Sequence, residues 1–347
     1  MHTDHPGATM PKTNPTINEI AKLAGVSKKS VSRVLNDERG VSEKTRAHIQ
    51  QIMRDVGYEP DRRARALASA RSLLLGLAYN NRNPSYVLEL LNGSQIAANA
   101  LGYEIVMHCV TDETDAAEHL IRFMRRSGCD GLILTPPLSE SATLIAALAE
   151  QNWPTVRIAG DNADFPVPQI RYNDRTAALS LTHKLISLGH SKIGFIGGPK
   201  QAGPTRRRLS GVQDALTLAG IPLDNGLLQF GDFTFESGQQ AATALLSMAE
   251  RPTAIICAND EMAAGVFQIA AARNIKIPED LSVTGFDNSP IATHLWPPLT
   301  SVRQPVRDMT TLAVSLLVNP EIHIADAVQQ FEAEVLIRES IAAPRQA

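Results

Sequence analysis

The stretch TINEIAKLAGVSKKSVSRVLN, residues 16–36, decides how the N-terminal part of this chain folds. Its aliphatic residues recur at helical spacing in two short segments, which predicts two helices with a break at Gly25. Thr16 and Glu19 have the spacing of a capping box, and Ser27 can cap the second helix. Two short helices joined by a tight glycine turn form a helix-turn-helix, a unit that binds DNA.

A third helix is predicted in VSEKTRAHIQQIMRDVGY, residues 41–58, between a cap at Ser42 and an end at Gly57. Its apolar face is formed by Ile49, Ile52, Met53 and Val56. Three helices of this length bury a small core, which is marginal alone but feasible. The segment that follows, EPDRRARALASARS, is basic and rich in alanine. We expect it to be a linker that can become helical, since Ala, Arg and Leu are good helix formers.

Length and charge divide the chain further. A chain of 347 residues suggests two or three domains, and 44% hydrophobic with 20% charged residues is typical of globular proteins. The net charge of −3 is unevenly distributed. Residues 16–71 contain 12 Lys/Arg against 7 Asp/Glu, whereas residues 72–347 contain 20 against 28. This asymmetry predicts a module that binds a polyanion and an acidic remainder that repels one.

The cysteines and the lengths of the apolar runs bear on the cellular compartment in which the protein is expected. The chain has three cysteines, and Cys109 and Cys257 lie in apolar runs that predict buried strands. An odd number at wide spacing argues for reduced thiols rather than a disulfide framework. Residues 1–15 lack the apolar stretch of a signal peptide and are expected to form a flexible tail. No run of apolar residues is long enough to span a membrane, so we expect a cytoplasmic protein.

From Leu73 onward, apolar strand segments alternate with amphipathic helical segments. The first series of predicted strands covers residues 73–79, 103–110, 130–135 and 155–159. The second series covers residues 192–198, 227–232, 253–260 and 281–287. Two such series predict two doubly wound parallel sheets, in which ligands bind beyond the carboxyl ends of the strands.

Several segments in this order resemble the LacI/GalR family of bacterial transcription regulators. They are VSKKSVSRVLN, NPSY, LISLGHSKIGFIGGP, CANDEMAAGVF and SVTGFDNSPIATHLWPPLTSVRQP. The resemblance extends from Thr16 to about Glu339. It implies an all-α helix-turn-helix headpiece followed by an α/β body that is like a periplasmic binding protein, with two doubly wound parallel-sheet subdomains.

The expected domain boundaries follow from these patterns. They are a flexible tail in 1–15, a helix-turn-helix domain in 16–60, a hinge-helix linker in 61–72 and an effector-binding and dimerisation domain in 73–340. We expect the last domain to divide into subdomains at about 73–171 and 172–300, with the return crossing near 301–340.

The second helix of a helix-turn-helix presents its N-terminal side chains to base edges in the major groove. In this chain the side chains are Lys28, Lys29, Ser30, Ser32 and Arg33. Thr16, Ile17, Asn36 and Tyr58 complete the predicted DNA-binding set of the headpiece. The alternative interpretation is a solvated basic helix face with no nucleic-acid partner.

The linker matches the family's hinge helix, which the resemblance implies folds on the operator and enters the minor groove. Leu67 stands where the family uses a leucine wedge, with Ala64 on the same face. The alternative is that Leu67 only packs the linker against the body. Asp61 replaces the asparagine of most relatives, which puts a phosphate contact there in doubt, and the nearby arginines can compensate. These arginines are Arg62, Arg63 and Arg65.

The resemblance and the strand ends together predict an effector site between the subdomains. Its residues are Asn80, Tyr86, Arg208, Phe233, Asn259 and Asp287. Arg208 matches the effector-binding arginine of the family, and Phe233 stands where relatives have an aromatic wall. Each residue taken singly is equally compatible with an ordinary polar strand end. Arg206 and Arg207 are predicted to be solvated.

Three other kinds of site are disfavoured. GFIGGP lacks the G-x-G-x-x-G spacing of a dinucleotide site. His183 and His190 have no nearby ligand set for a metal and are expected to pack or to hydrogen-bond. The nucleophile turn G-x-S-x-G of a hydrolase is absent from the sequence.

The sequence therefore predicts a homodimeric repressor without catalytic activity, cofactor, metal or membrane contact. It is expected to bind a pseudo-palindromic operator in double-stranded DNA, under the control of a sugar or sugar derivative. A second hypothesis is a sugar receptor of the periplasmic type, which the basic headpiece and the missing signal peptide disfavour. A third and weaker hypothesis is a sugar-modifying enzyme, for which no acid/base pair stands out.

Overall fold

A computed structural model describes residues 15–35, 38–58, 71–111, 114–159, 167–319 and 328–345. The chain divides into two compact units between Ser72 and Leu73, which we call the headpiece and the body. Most of the predicted tail and of the predicted hinge linker lies outside the described residues. Within the described ranges, no helix is both long enough and apolar enough to cross a membrane.

The headpiece contains three short helices, α1 (Ile17–Leu23), α2 (Lys28–Leu35) and α3 (Glu43–Asp55). The predicted capping box is confirmed, because the Thr16 hydroxyl accepts from the Glu19 amide and the Glu19 carboxylate accepts from the Thr16 amide. Ser27 and Ser42 accept backbone amides at the starts of α2 and α3, at 3.1 and 3.3 Å, as predicted. These side chains replace the hydrogen bonds that the first amides of a helix lack.

The three helices bury a small apolar core around the turn at Gly25, whose φ is +64°. This core consists of Ile20, Ala21, Ala24, Val31, Val34 and Ile49. The prediction that Val56 belongs to the apolar face of α3 is wrong, since its side chain is exposed. The helix ends at Asp55, so the helical periodicity no longer places Val56 on that face.

The first sheet of the body has six parallel strands in the order β11-β5-β4-β3-β1-β2. They are β1 (Leu74–Tyr79), β2 (Glu104–Cys109), β3 (Gly131–Leu134), β4 (Thr155–Ile158), β5 (Gln169–Tyr172) and β11 (Val328–Phe331). The helices that follow or cover these strands are α4 (Pro84–Ala100), α5 (Ala116–Ser127), a 3₁₀ turn (Leu138–Glu140), α6 (Ala142–Ala149) and α12 (Val306–Val318).

The second sheet has four parallel strands in the order β7-β6-β8-β9. They are β6 (Ile193–Gly197), β7 (Leu228–Phe230), β8 (Ala254–Cys257) and β9 (Ser282–Thr284). Its helices are α7 (Asp174–Ser187), α8 (Gly203–Leu218), α9 (Phe235–Leu246), α10 (Asp260–Ala272) and α11 (Pro290–His294), with a 3₁₀ turn at Asn225–Leu227. The expectation of two doubly wound parallel sheets is confirmed.

Three chain crossings connect the two sheets. The chain leaves the first sheet after β5, and it returns through β10 (Ser301–Arg303) to α12 and β11. It then crosses back into β12 (Glu334–Leu336), which pairs antiparallel with β10. The strands β5, β10, β11 and β12 are not among the eight predicted from apolar runs.

The prediction for Cys109 is wrong, and the prediction for Cys257 is confirmed. Cys109 is the last residue of β2, an edge strand, and its side chain is exposed. Cys257 ends β8, which lies between β6 and β9, and its side chain is buried. The difference follows from the position of each strand in its sheet, which the local sequence does not contain.

His190 hydrogen-bonds as predicted, whereas His183 is exposed on α7. The His190 ring donates from Nε2 to the Ala342 carbonyl at 2.8 Å, and its Nδ1 lies 2.8 Å from the Thr253 hydroxyl. Burial lowers the pKa of His190, which favours the neutral ring. His190 therefore fastens the C-terminal segment to the second sheet.

Candidate functional site

A cavity of about 690 Å³ lies where the carboxyl ends of the two sheets face each other. Its walls come from the loops after β1, β2 and β3 of the first sheet and after β6, β7, β8 and β9 of the second. The volume is in the range of ordinary small-molecule sites. All six residues predicted for effector binding line this cavity, namely Asn80, Tyr86, Arg208, Phe233, Asn259 and Asp287.

Arg208 projects from α8 and is only 5% exposed. Its Nη2 donates to the Tyr172 hydroxyl at 2.7 Å, and its Nη1 donates to the Ala258 carbonyl. Its guanidinium also lies 3.9 Å from the centre of the Phe286 ring, a cation–π contact. Three contacts of this kind hold the guanidinium in one orientation at the cavity wall.

Asp287 follows β9 in a backbone conformation with φ +108°. One carboxylate oxygen accepts from the Asn83 amide at 2.6 Å, and the other accepts from the Gln304 amide. Asn83 belongs to the loop after β1, so this bond joins the two sheets across the cavity. Burial raises the pKa of Asp287 to about 6, against the opposing charge of Arg208.

A second buried carboxylate supports the Asp287 loop from behind. Asp260 accepts from the Ser289 amide at 2.7 Å and the Ser289 hydroxyl at 3.0 Å, and its other oxygen accepts from Ser301 at 2.6 Å. Burial, followed by the nearby charge of Asp287, raises the pKa of Asp260 to about 7. Asp260 does not line the cavity, and its role is to position the loop that does.

These raised pKa values predict how stability depends on pH. The ordinary aspartate pKa is 3.8, so both carboxyls bind a proton more tightly in the folded chain. Their contribution to stability is present at low pH and is lost as the pH rises through their folded pKa values. We expect the unfolding free energy of wild type, relative to Asp260→Asn, to grow by about 2 kcal/mol between about pH 7.5 and 5.5. Urea denaturation at both pH values measures this difference, and a constant difference would contradict it.

Phe233 and Asn259 form a coupled pair at the ends of β7 and β8. The Phe233 ring packs against Gly198, and its backbone has φ +66°. The Asn259 amide donates to the Phe233 carbonyl at 2.8 Å, while its oxygen accepts from the Met262 amide at the start of α10. Both polar groups of Asn259 thus have protein partners, and its side chain positions the loop that carries Phe233.

Asn80 and Tyr86 lie on the wall formed by the first sheet. Asn80 directly follows β1, and Tyr86 is in the first turn of α4. The Tyr86 side chain is buried, and burial raises the pKa of its phenol, which therefore remains protonated. Both residues occupy the predicted position beyond a strand end.

The prediction that Arg207 is solvated is wrong, whereas Arg206 is exposed as predicted. Arg207 Nε donates to both carboxylate oxygens of Asp174, at 2.9 and 3.0 Å. Its other nitrogens lie 3.3 Å from the Ala159 carbonyl and 3.8 Å from the Glu140 carboxylate, both on the first sheet's side. The run of arginines on α8 predicted solvation, but the sequence of α8 does not reveal that α7 supplies the buried carboxylate of Asp174.

Several polar lining residues were not predicted from the sequence. Among them are Arg82, Asn83, Glu140, Tyr172 and Gln304. Tyr172 ends the polar strand QIRY, whose alternation of Ile170 and Tyr172 is a weak strand signal. Arg82 forms an ion pair of 3.2 Å with Asp232 of the opposite wall. Arg82 and Asn83 could have been found by taking the polar residues that follow each predicted strand, whereas Tyr172 and Gln304 belong to or follow strands that were not predicted.

The headpiece presents a separate basic surface. Lys28 and Lys29 are exposed in the first turn of α2, with Thr16 exposed at the start of α1. Ser30 lies 3.0 Å from the Ser27 hydroxyl, and Arg33 packs against Gly40.

Three other predicted headpiece contacts are partly buried. Ser32 is half-buried, and Ile17 and Tyr58 pack against the headpiece core. The predicted DNA contacts Asn36, Ala64 and Leu67, like the hinge arginines and Asp61, lie outside the described residues. The exposed basic surface of α2 is therefore centred on Lys28 and Lys29.

Two protein-family models match the chain. The model of bacterial regulatory proteins of the lacI family matches residues 16–61. A model of the periplasmic binding protein-like domain matches residues 182–341. The first match covers the three helices of the headpiece, and the second covers most of the second sheet and the C-terminal crossings.

Two relatives match over most of their length. The HTH-type transcriptional regulator DegA of Bacillus subtilis (strain 168) is 32% identical over 297 residues, which are 85% of this chain and 88% of the relative. The HTH-type transcriptional repressor CytR of Escherichia coli (strain K12) is 30% identical over 333 residues, which are 95% of this chain and 97% of the relative.

Solved structures agree with these relatives. A complex of the transcriptional regulator CelR with cellobiose has a TM-score of 0.70 and 29% identity, covering 94% of this chain and 100% of that one. The lac repressor dimer bound to operator and the anti-inducer ONPF has a TM-score of 0.75 and 28% identity, covering 95% of this chain and 100% of that one.

Proposed function

Because this chain belongs to the LacI family of bacterial transcription regulators, we propose that it is a repressor whose operator affinity is set by a carbohydrate in the cavity of the body. The supporting observation is the cavity itself, at the carboxyl ends of both sheets and lined by all six predicted effector residues. A ligand held by both walls changes how the subdomains are arranged, and it can act as a switch only if it prefers one arrangement.

The carbohydrate proposal also draws on a relative's ligand. The solved CelR structure contains cellobiose, and its fold extends over nearly the whole of this chain. The cavity combines a fixed guanidinium, carboxylates, amides and the Phe233 ring. Charged and amide groups suit paired hydroxyls, and an aromatic ring suits the apolar face of a sugar. We propose binding without catalysis and without a cofactor.

The DNA side of the proposal uses the headpiece. We propose that Lys28, Lys29, Ser30, Ser32 and Arg33 of α2 face the major groove of a pseudo-palindromic operator, with Thr16, Ile17, Asn36 and Tyr58 supporting them. The lac repressor binds its operator as a dimer, and a two-fold operator suits a two-fold protein. We propose a homodimer that acts in the cytoplasm, with Ala64 and Leu67 in the minor groove.

One experiment tests the whole proposal. The full chain is mixed with DNA from the promoters of the adjacent genes, and mobility shifts are recorded with and without a panel of sugars. We expect a specific shifted band that at least one sugar weakens or strengthens. A chain that binds sugar but shifts no DNA would support the periplasmic-receptor hypothesis, and turnover of a sugar would support the enzyme hypothesis.

Substitutions in α2 are expected to change both the strength and the sequence preference of DNA binding. Lys29→Ala is expected to weaken operator binding by about 1–3 kcal/mol and to change the preferred sequence, since an exposed lysine in the first turn reaches base edges. Arg33→Ala should also weaken binding. The measurement is the ratio of operator affinity to random-DNA affinity, with the exposed Lys44 of α3, replaced by alanine, as the control. Equal losses on operator and random DNA would reassign Lys29 and Arg33 to phosphate contacts.

A further inference from the structure

We infer that the effector is an uncharged polyhydroxylated molecule and that Glu140 excludes phosphorylated or carboxylated molecules from the cavity. The inference rests on the proposed function, because it names the chemical class that the regulatory cavity accepts.

Each positive charge of the cavity wall already has a nearby carboxylate. Arg82 and Arg208 supply two positive charges, and Glu140, Asp232 and Asp287 supply three negative ones. Arg82 pairs with Asp232 at 3.2 Å, and the charge of Arg208 is offset by Asp287. An incoming phosphate would therefore meet no cation in the described wall that lacks a nearby carboxylate. Burying an unbalanced charge is costly.

The start of α8 is the place where an anion would otherwise bind. The unpaired amides at a helix N-terminus and the helix dipole both favour negative charge. Glu140 already occupies this position, since its Oε2 accepts from the Gly203 amide at 2.9 Å. Its Oε1 lies 3.8 Å from Arg207 Nη1. Pro204, the second residue of the helix, has no amide hydrogen to offer.

Gly203 makes this occupancy sterically feasible. A Cβ at position 203 would lie 2.0 Å from Glu140 Oε1, so any other residue would displace the carboxylate. The Glu140 side chain is only 13% exposed, so its carboxylate is held within the cavity wall and not in bulk solvent. Glu140 and Gly203 together fill the anion position of α8 with a group from the opposite wall.

The remaining polar lining is neutral. It consists of amide and hydroxyl side chains, among them Asn80, Asn81, Thr111, Ser141 and Gln201. Amides and hydroxyls both donate and accept, as sugar hydroxyls do. The composition of the wall therefore favours a polyol over an anion of the same size.

Inorganic phosphate is the probe that tests this inference on the full chain. Isothermal titration at constant ionic strength compares wild type, Glu140→Ala and Glu140→Gln. Glu118→Ala is the control, because it removes an exposed carboxylate of α5 outside the cavity lining. We expect negligible binding to wild type and control, and binding about tenfold tighter or more to Glu140→Ala. Glu140→Gln removes the charge but keeps an acceptor for the Gly203 amide, so its gain in phosphate affinity should be smaller. It also provides the test if the alanine variant folds poorly.

Tight phosphate binding to wild type that Arg208→Ala abolishes would overturn the inference. Unchanged phosphate affinity in both Glu140 variants would overturn the role of Glu140. In a second arm, mobility shifts compare glucose with glucose 6-phosphate and ribose with ribose 5-phosphate, and a stronger response to a phosphorylated member would also overturn it. If no compound of either class changed operator binding, the proposed function would fail, and the phosphate titration would still decide what Glu140 does.

Discussion

Arg208→Ala is expected to abolish the response of operator binding to the effector while leaving operator affinity itself within about twofold of wild type. The guanidinium is fixed by the Tyr172 hydroxyl, the Ala258 carbonyl and the Phe286 ring, so its remaining hydrogen-bonding edge is preorganised. Hydrogen bonds to a charged group contribute about 1.5–3 kcal/mol each. We therefore expect effector affinity to fall by about 100-fold.

Two variants sharpen the Arg208 experiment. Arg206→Ala removes an exposed arginine from the same helix and should leave the response intact. Arg208→Lys keeps the charge but loses the planar fork, so it should recover only part of the affinity. The measurements are isothermal titration with the effector and mobility shift with the operator. If Arg208→Ala bound the effector as tightly as wild type, Arg208 would be a structural residue and the cleft assignment would be wrong.

Asp174→Ala is expected to destabilise the body by about 3–5 kcal/mol. The carboxylate is 1% exposed and accepts two hydrogen bonds from Arg207 Nε, whose side chain is 15% exposed. Removing the carboxylate leaves the arginine partly buried without its closest partner. Both tryptophans, Trp153 and Trp296, belong to the body, so their fluorescence in urea reports the unfolding of this unit.

The chain supplies a matched control for Asp174. Asp214 pairs with Arg175 at 2.7 Å, but the two side chains are 34% and 61% exposed. Exposed pairs contribute at most about 1 kcal/mol, so Asp214→Ala should cost far less. Adding Arg207→Met to Asp174→Ala should restore part of the stability, because it removes the unpaired charge. Equal losses for Asp174→Ala and Asp214→Ala would contradict a buried bridge.

The two hypotheses for a sugar-binding body are separated by the headpiece. The body matches a periplasmic binding protein-like model, as a receptor would. The lacI-family match in residues 16–61 and the capped helix-turn-helix assign the chain to the DNA-binding regulators instead. The helix-turn-helix that distinguishes the two hypotheses can therefore be recognised from about the first sixty residues alone.

The fold of the headpiece follows from local sequence signals, because these signals act over three or four residues. The Thr16–Glu19 box, the Ser27 and Ser42 caps and the Gly25 turn are short-range hydrogen bonds and backbone preferences. The eight apolar strands were also readable from their composition, but the exposure of Cys109 at the end of β2 was not. Strand ends in a parallel sheet meet at one edge, which is why the six predicted effector residues share a cavity.

Which polar groups meet depends on how distant segments of the chain pack together. Asn83 and Asp287 are 204 residues apart and hydrogen-bond across the cavity. Arg207 pairs with Asp174 and lies 3.8 Å from the Glu140 carboxylate. The strands β5 and β11 contain polar residues and are recognisable only once neighbouring strands pair with them. Side-chain partners of this kind depend on the sheet order and the chain crossings, and no local periodicity or propensity contains that information.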